Sequence, residues 1–119
     1  MSRFARRIRA HVQQELDAAR EAESRGDPVA AFRHLERAHV LGQASIVEHL
    51  RVHWRMFTWG LRQRKPGEVA GQVWRLVGAA LATPFGWLPH GNTGGSNVSG
   101  LRPMPVPEDL RRLIDAARQ

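Results

Sequence analysis

Apolar residues recur at helical spacing over most of the chain before residue 83. In the first segment they follow steps of three or four residues, which places them on one face of a helix. The positions of this face are Phe4, Ile8, Val12, Leu16 and Ala19. The pattern predicts a first helix from about Arg3 to Ser24.

The next three residues after Arg25 predict a sharp turn between two helices. Gly26 can adopt the left-handed conformation that ends a helix, Asp27 is a good N-cap, and Pro28 suits the first helical position. The second helix then runs from Pro28 to about Leu41. Its predicted buried side consists of Val29, Phe32, Leu35, Ala38 and either Val40 or Leu41.

Two further helices follow breaks at Gly42-Gln43 and at residues 64–67. Ser45, with Glu48 three residues later, forms a capping box and predicts a helix to about Gln63. The predicted apolar face of this third helix is Ile46, Leu50, Phe57 and Leu61, widened by Val47 and Trp54. A fourth helix is expected from Pro66 or Glu68 to Leu81 or Ala82, with Val69, Val73, Leu76, Val77 and Ala80 as its core stripe.

Residues 83–106 are rich in proline and glycine and lose the helical period. So long a non-helical segment is uncommon in a small domain. Its apolar residues, among them Phe85, Trp87 and Leu101, favour an ordered loop over the helices. A short last helix is predicted from Pro107 to about Arg118. The whole pattern predicts an all-α fold: one domain over residues 1–119, a compact bundle of four to five helices with a long ordered Gly/Pro-rich loop.

Composition adds a formal charge of +7 and no cysteine. The absence of cysteine excludes a disulfide framework and a thiolate metal site, and it fits the cytoplasmic location that we expect. The longest apolar run, residues 76–88, is shorter than the roughly 20 residues of a membrane span. The basic surface would favour an acidic protein partner, while no motif indicates a specific nucleic-acid interaction.

Two stretches of sequence carry resemblances. The helix pair around Gly-Asp-Pro, roughly Glu15 to Gln43, resembles one tetratricopeptide repeat. The motifs HLERAHVLGQ at 34–43 and GNTGGSNVSGLRPMPVPEDL at 91–110, with VHWRMF at 52–57 and RLVGAAL at 75–81, resemble a small bacterial family catalogued only as a domain of unknown function. That resemblance implies a single-domain bacterial protein and brings no catalytic residues.

Four histidines lie between Phe32 and Trp59, on the second and third predicted helices. If the turn between these helices is centred near Ala44, His39 lies opposite His49. Glu36 and His39 are three residues apart and His49 and His53 are four apart, so each pair shares a helix face. The pattern predicts a metal site with four ligands: Glu36, His39, His49 and His53.

Imidazole and carboxylate together suit a transition metal. We expect zinc, with iron, nickel, manganese and copper left open. Glu15 or Glu21 on the first helix could orient one of the histidines from outside the ligand set. His34 is predicted on the surface, and His11 is predicted to be structural or exposed.

A glycine-rich stretch forms the second candidate site: His90, Gly91, Asn92, Thr93, Gly94, Gly95, Ser96 and Asn97. Successive N–H groups in such a turn can hold an anion. The alternative, which we favour, is a loop whose glycines take positive φ and whose Asn and Thr side chains bond the backbone. His90 could join the metal cluster if this loop folds back.

The sequence therefore supports two main functions. The first is a small protein that buffers, senses or delivers a transition metal. The alternative is a tetratricopeptide-like interaction module with a basic surface and no metal. An anion or nucleic-acid binder is a weaker third. No Gly-x-Ser-x-Gly turn or Ser-His-Asp arrangement can be argued, so no catalytic residue is assigned and enzymatic activity stays undecided.

Overall fold

A computed structural model describes residues 2–82, 85, 92–95 and 103–119. Within these residues the chain forms five helices: α1 (Arg3–Ser24), α2 (Pro28–Gly42), α3 (Ile46–Arg62), α4 (Pro66–Ala82) and α5 (Glu108–Arg118). The prediction of an all-α bundle is confirmed. The predicted helix boundaries also agree to within one or two residues. None of the helices in the described residues is long and apolar enough to cross a membrane.

The turns use the residues that the sequence indicated. Gly26 takes a φ of +81°, and the N–H of Asp27 bonds the carbonyl of Ala22, which closes α1 with a Schellman-type cap. The Asp27 side chain accepts from the N–H of Ala30, and Pro28 occupies the first turn of α2. These caps fix α1 and α2 as a hairpin.

The helices pack in two pairs, α1 with α2 and α3 with α4, and α2 joins the pairs by packing on α3. The last helix, α5, lies against α1 and α2. Arg37 of α2 links three helices, because its guanidinium bonds both Glu15 on α1 and Asp109 on α5. Trp59 of α3 donates its indole N–H to the carbonyl of Pro28 at 3.1 Å and packs its ring on Phe32.

One apolar core is shared by α1, α2, α3 and α5. Its centre consists of fully buried side chains that include Ile8, Val12, Leu16, Leu41, Val52, Met56 and Leu110. The predicted face of α1 is buried from Ile8 to Ala19, with Phe4 packed at its edge. At the start of α2, however, Val29 is 60% exposed, so its predicted burial is wrong.

The predicted buried faces of α3 and α4 are wrong in larger part. On α3, Ile46, Val47, Trp54 and Leu61 are exposed; on α4, Val73, Val77 and Ala80 are exposed. The buried positions of α3 are instead Glu48, His49, Val52, His53, Met56, Trp59 and Gly60. Among the α4 side chains that the structure describes, Gln72 and Ala79 are buried. Both helices turn polar side chains inward, which a pattern of apolar residues cannot detect.

Candidate metal centre

Helix α2 places His39 in its last turn, and α3 places His49 and His53 in its first two turns. The Ser45 side chain caps α3 by accepting from the N–H of Glu48. This start sets His49 and His53 one turn apart on the face towards α2. All three rings are 2–3% exposed. The hairpin therefore brings three imidazoles together beneath the surface.

The three rings meet through their Nε2 atoms. The Nε2 of His39 lies 2.9 Å from that of His49 and 3.1 Å from that of His53, and the third side of the triangle, between His49 and His53, is 3.0 Å. Among the described residues these three form a group whose ligand atoms lie within 4.8 Å of one another. We call this group the histidine triad.

Two of the three rings have their proton on Nδ1. His39 Nδ1 lies 2.6 Å from the carbonyl oxygen of Asn92, which can only accept. His53 Nδ1 lies 2.5 Å from Oε1 of Gln72. The orientation of the Gln72 amide follows from its Nε2, which donates to Glu68 at 2.6 Å and to the carbonyl of Gly94 at 2.9 Å. Because each neutral ring has one proton, the Nε2 atoms of His39 and His53 both present lone pairs.

A short loop, residues 92–95, covers His39. The Asn92 side chain accepts from the N–H of Gly94, and Gly94 takes a φ of +83°. A Cβ at Gly94 would lie 2.5 Å from Cδ2 of His39, so only glycine fits against the ring. Arg75 of α4 donates to the carbonyls of Gly94 and Gly95 at 3.3 Å and holds the loop to the helix.

The triad is neutral at physiological pH. Burial, and after it the neighbouring His53, lower the pKa of His49 to about 3. Burial likewise lowers the pKa of His53 to about 4, although the bond to Gln72 opposes this. The pKa of His39 lies well below its usual range, first because of burial and then because of His53 and His49. Neutral histidines are the state that binds a metal, and two of the three Nε2 lone pairs, those of His39 and His53, already face one another.

Glu36, the fourth predicted ligand, is not part of this group of atoms. Its side chain is half-buried and hydrogen-bonded to Thr93. Burial raises the pKa of Glu36, the nearby Glu68 carboxylate raises it further, and the Thr93 bond opposes both. Its role as a ligand stays a prediction.

The comparison with family models identifies the family of the chain. The family described as "Protein of unknown function (DUF3703)" matches residues 6–114. The chain belongs to this family. The resemblance to a domain-of-unknown-function family is thereby confirmed, and the DUF3703 match extends from α1 into α5.

Neither the curated proteins nor the solved structures contain a match to this chain. The assignment of a site in this DUF3703 protein therefore depends on its own residues. The likeness of the α1–α2 hairpin to a tetratricopeptide repeat stays a prediction.

The remaining histidines and acids of the prediction lie elsewhere. His34 is partly exposed, with 35% of its side chain accessible, and it pairs with Glu15 at 2.7 Å. Glu15 therefore orients His34, and Glu21 pairs with Arg25, so the prediction that either carboxylate orients a triad histidine is wrong. His11 is half-buried on α1.

Of the glycine-rich candidate site, the structure describes Asn92, Thr93, Gly94 and Gly95. The positive φ of Gly94 and the bond from its N–H to the Asn92 side chain are the features of the structural alternative. His90, Gly91, Ser96 and Asn97 lie outside the described residues, so anion binding by this stretch and the joining of His90 to the cluster stay predictions.

Sequence reasoning missed Gln72, which bonds His53, the loop carbonyl and Glu68 at once. A signal existed: Gln72 stands in an otherwise apolar stretch of α4 and is 0% exposed. It also missed the contact of Asn92 with His39. That contact joins residues 53 positions apart, and no local pattern indicates it.

Proposed function

We infer that this protein binds one transition-metal ion through the Nε2 atoms of His39, His49 and His53. The observation that carries this inference is the 3.1 Å approach of two Nε2 atoms, of His39 and His53, that both lack a hydrogen. His49 can donate its own Nε2–H to one of them, but the other lone pair then faces the cluster unpaired. A cation at the centre of the triad satisfies all three.

The size of the triad fits such an ion. With metal–nitrogen distances of about 2.1 Å, three nitrogens at right angles around a metal lie about 3.0 Å apart, and tetrahedral angles would need about 3.4 Å. The observed sides of 2.9, 3.1 and 3.0 Å are close to the first value. A metal therefore enters with shifts of a few tenths of an ångström at most.

Zinc is the ion that we propose first, because it accepts imidazole ligands and has no preferred geometry of its own. Iron, nickel, manganese and copper(II) also bind imidazole and belong in the test. Three histidines leave at least one coordination position for a further ligand. Glu36, three residues before His39, is the candidate from this chain, and water is the other.

The role that we propose is buffering, sensing or delivery of the metal. A triad that is 2–3% exposed and held by bonds behind the rings favours retention of the ion once bound. We propose no reaction, and the cytoplasmic location of the protein stays a prediction.

Metal content of the protein, purified without a histidine tag, tests the proposal. Elemental analysis and titration with zinc, nickel, copper(II), iron(II) and manganese should give one equivalent of a preferred ion in the wild type. His49→Ala should lose this uptake. His11→Ala, which removes a half-buried histidine from α1, is the matched control and should keep it. Less than a tenth of an equivalent of every metal in the wild type would overturn the proposal.

One observation favours the alternative, an interaction module. Helix α4 exposes a row of apolar side chains: Val73, Trp74, Val77 and Leu81, between 51% and 76% exposed. An acidic partner with an apolar contact surface would suit this row and the charge of +7. A partner that binds the His39→Ala/His49→Ala protein as well as the wild type, but not Trp74→Glu, would support a module that works without metal.

A further inference from the structure

A second site lies on the side of the bundle where α1, α2 and α3 meet. A cavity of about 590 Å³ opens there, and no triad histidine lines it. Its apolar wall includes Leu16 of α1, Leu35 of α2 and Trp59 of α3. Cavities of roughly 300–1,000 Å³ are typical of sites for small organic molecules.

Three arginines line the same cavity: Arg20 of α1 and Arg55 and Arg62 of α3. The charge of Arg62 is balanced by Glu23, because Arg62 donates two hydrogen bonds to this carboxylate at 2.6 and 3.0 Å. Neither Arg20 nor Arg55 forms an ion pair with a carboxylate in the described part of the chain. The cavity therefore holds two positive charges without a matching acid.

The surroundings of Arg55 add to this imbalance. Its side chain is half-buried, and burial lowers its pKa, followed by the charges of Arg20, Arg51 and Arg62. Asp17 opposes these charges from a distance, and the Asp17 carboxylate itself accepts from Gln13. A half-buried guanidinium among other guanidiniums gains from any anion that reaches it.

Trp54 forms part of the same lining and is 54% exposed, with its ring 5.4 Å from that of Phe57. A large aromatic surface beside unpaired arginines suits a ligand that is apolar at one end and charged at the other. The Trp54 ring, beside the nearly buried wall of Leu16, Leu35 and Trp59, would contact the apolar part of the ligand. Arg20 and Arg55 would bind the charged group of the ligand.

We propose that this cavity binds a small organic anion, with its carboxylate or phosphate group between Arg20 and Arg55 and its apolar body against the exposed ring of Trp54 and the wall that Leu16, Leu35 and Trp59 form. Both guanidiniums can bind such a group through paired N–H donors. The site is independent of the histidine triad, so either proposal can fail without the other.

Four probe compounds test the contributions of the charged group and of the apolar body: hexanoate, hexyl phosphate, hexanol and inorganic phosphate. Calorimetric titration of the protein should show binding of one equivalent of hexanoate or hexyl phosphate, and the tighter of the two identifies the charged group. Hexanol lacks the charge and inorganic phosphate lacks the apolar body, so each should bind at least tenfold more weakly. The indole N–H signals of Trp54 and Trp59 should shift in ¹⁵N NMR spectra with the binding anion.

Variants connect the binding to the arginines. Arg55→Gln and Arg20→Gln should each weaken binding at least tenfold. Arg20 is exposed, so its variant can be read even if Arg55→Gln fails to fold. Arg7→Gln is the matched control, since Arg7 is an exposed arginine outside the cavity, and it should leave the affinity unchanged. His49→Ala should also bind the anion normally.

Three results would overturn the proposal. The first is no binding of either hexyl anion at millimolar concentration. The second is an equal loss in Arg7→Gln and Arg55→Gln, which would mean attraction to the basic surface as a whole. The third is hexanol binding as tightly as the anions.

Discussion

In His39 and in His53, the two ring nitrogens have different partners. Nδ1 donates to an oxygen of the protein, and Nε2 faces the other rings. Bonds of this kind fix the tautomer and the orientation of metal-binding histidines. At the scale of single residues, the oxygens behind the rings are therefore as important as the rings themselves.

Gln72 provides a test of this statement. Gln72→Met keeps the volume but removes the acceptor of His53 Nδ1. We expect metal affinity to fall by roughly 10–100-fold, the usual effect of losing such a partner. Gln13→Met, on the exposed side of α1, removes a glutamine that bonds only Asp17 in the described structure and is the control. Equal affinities in the two variants, measured by competition with a chelator, would show that Gln72 does not support the site.

Gly94 provides a second test, of whether the loop positions His39. Gly26 is the matched control. Both have nearly the same φ, +83° and +81°, but a Cβ at Gly26 meets nothing within 4 Å, and one at Gly94 meets the His39 ring. Gly26→Ala should lose about 1–2 kcal/mol of unfolding free energy, because alanine is strained at this positive φ. Gly94→Ala should in addition weaken metal binding, because His39 must move. If titration gives the same metal affinity for both variants, the loop does not position His39.

At the scale of elements, α3 buries a different face from the one that the sequence pattern predicts. Met56 is fully buried, while Leu61, on the predicted face, is 54% exposed. Met56→Ala should therefore cost about 2–5 kcal/mol of unfolding free energy. Leu61→Ala should cost less than about 1 kcal/mol. Denaturant unfolding measures both values, and a larger loss for Leu61→Ala would mean that α3 is rotated towards the predicted face.

The sequence predicts the helices well because their ends are marked locally, by Gly26-Asp27-Pro28 and by Ser45 with Glu48. It also brings His39, His49 and His53 to one place, since a hairpin fixes which residues face each other. It fails for the orientation of α3, where the buried Val52, Met56 and Trp59 share their face with polar residues such as His49 and His53, and of α4, where Gln72 lies on the buried face. Apolar periodicity assigns such residues to solvent, and only the contacts between helices correct this.

At the scale of the whole molecule, the neutral triad makes stability depend on pH. Unfolded imidazoles bind protons below about pH 6.5, whereas His53 and His49 in the folded protein do so only at about 4 and 3. The unfolded histidines therefore bind more protons than the folded triad in this window, and the unfolding free energy falls as the pH falls, while the raised pKa of Glu36 opposes part of this loss. The slope is about 1 kcal/mol per pH unit for each histidine.

Denaturant unfolding of the metal-free protein between pH 7.5 and 5 measures this slope. The lowered pKa of Glu23 and of Asp109 adds losses only below about pH 4.5, outside the range of the experiment. His49→Gln should reduce the pH dependence of the unfolding free energy, and His11→Gln should leave it unchanged. A wild-type stability that is constant from pH 7.5 to 5 would contradict the burial of three neutral histidines.

The most direct measurement of the central claim is anomalous diffraction from crystals of the zinc-loaded protein. We expect one peak about 2.0–2.2 Å from the Nε2 atoms of His39, His49 and His53, the range of zinc–imidazole bonds. The same map decides whether Glu36 or a water completes the coordination. A zinc peak away from the triad, or one bound by fewer than two of these histidines, would contradict the account.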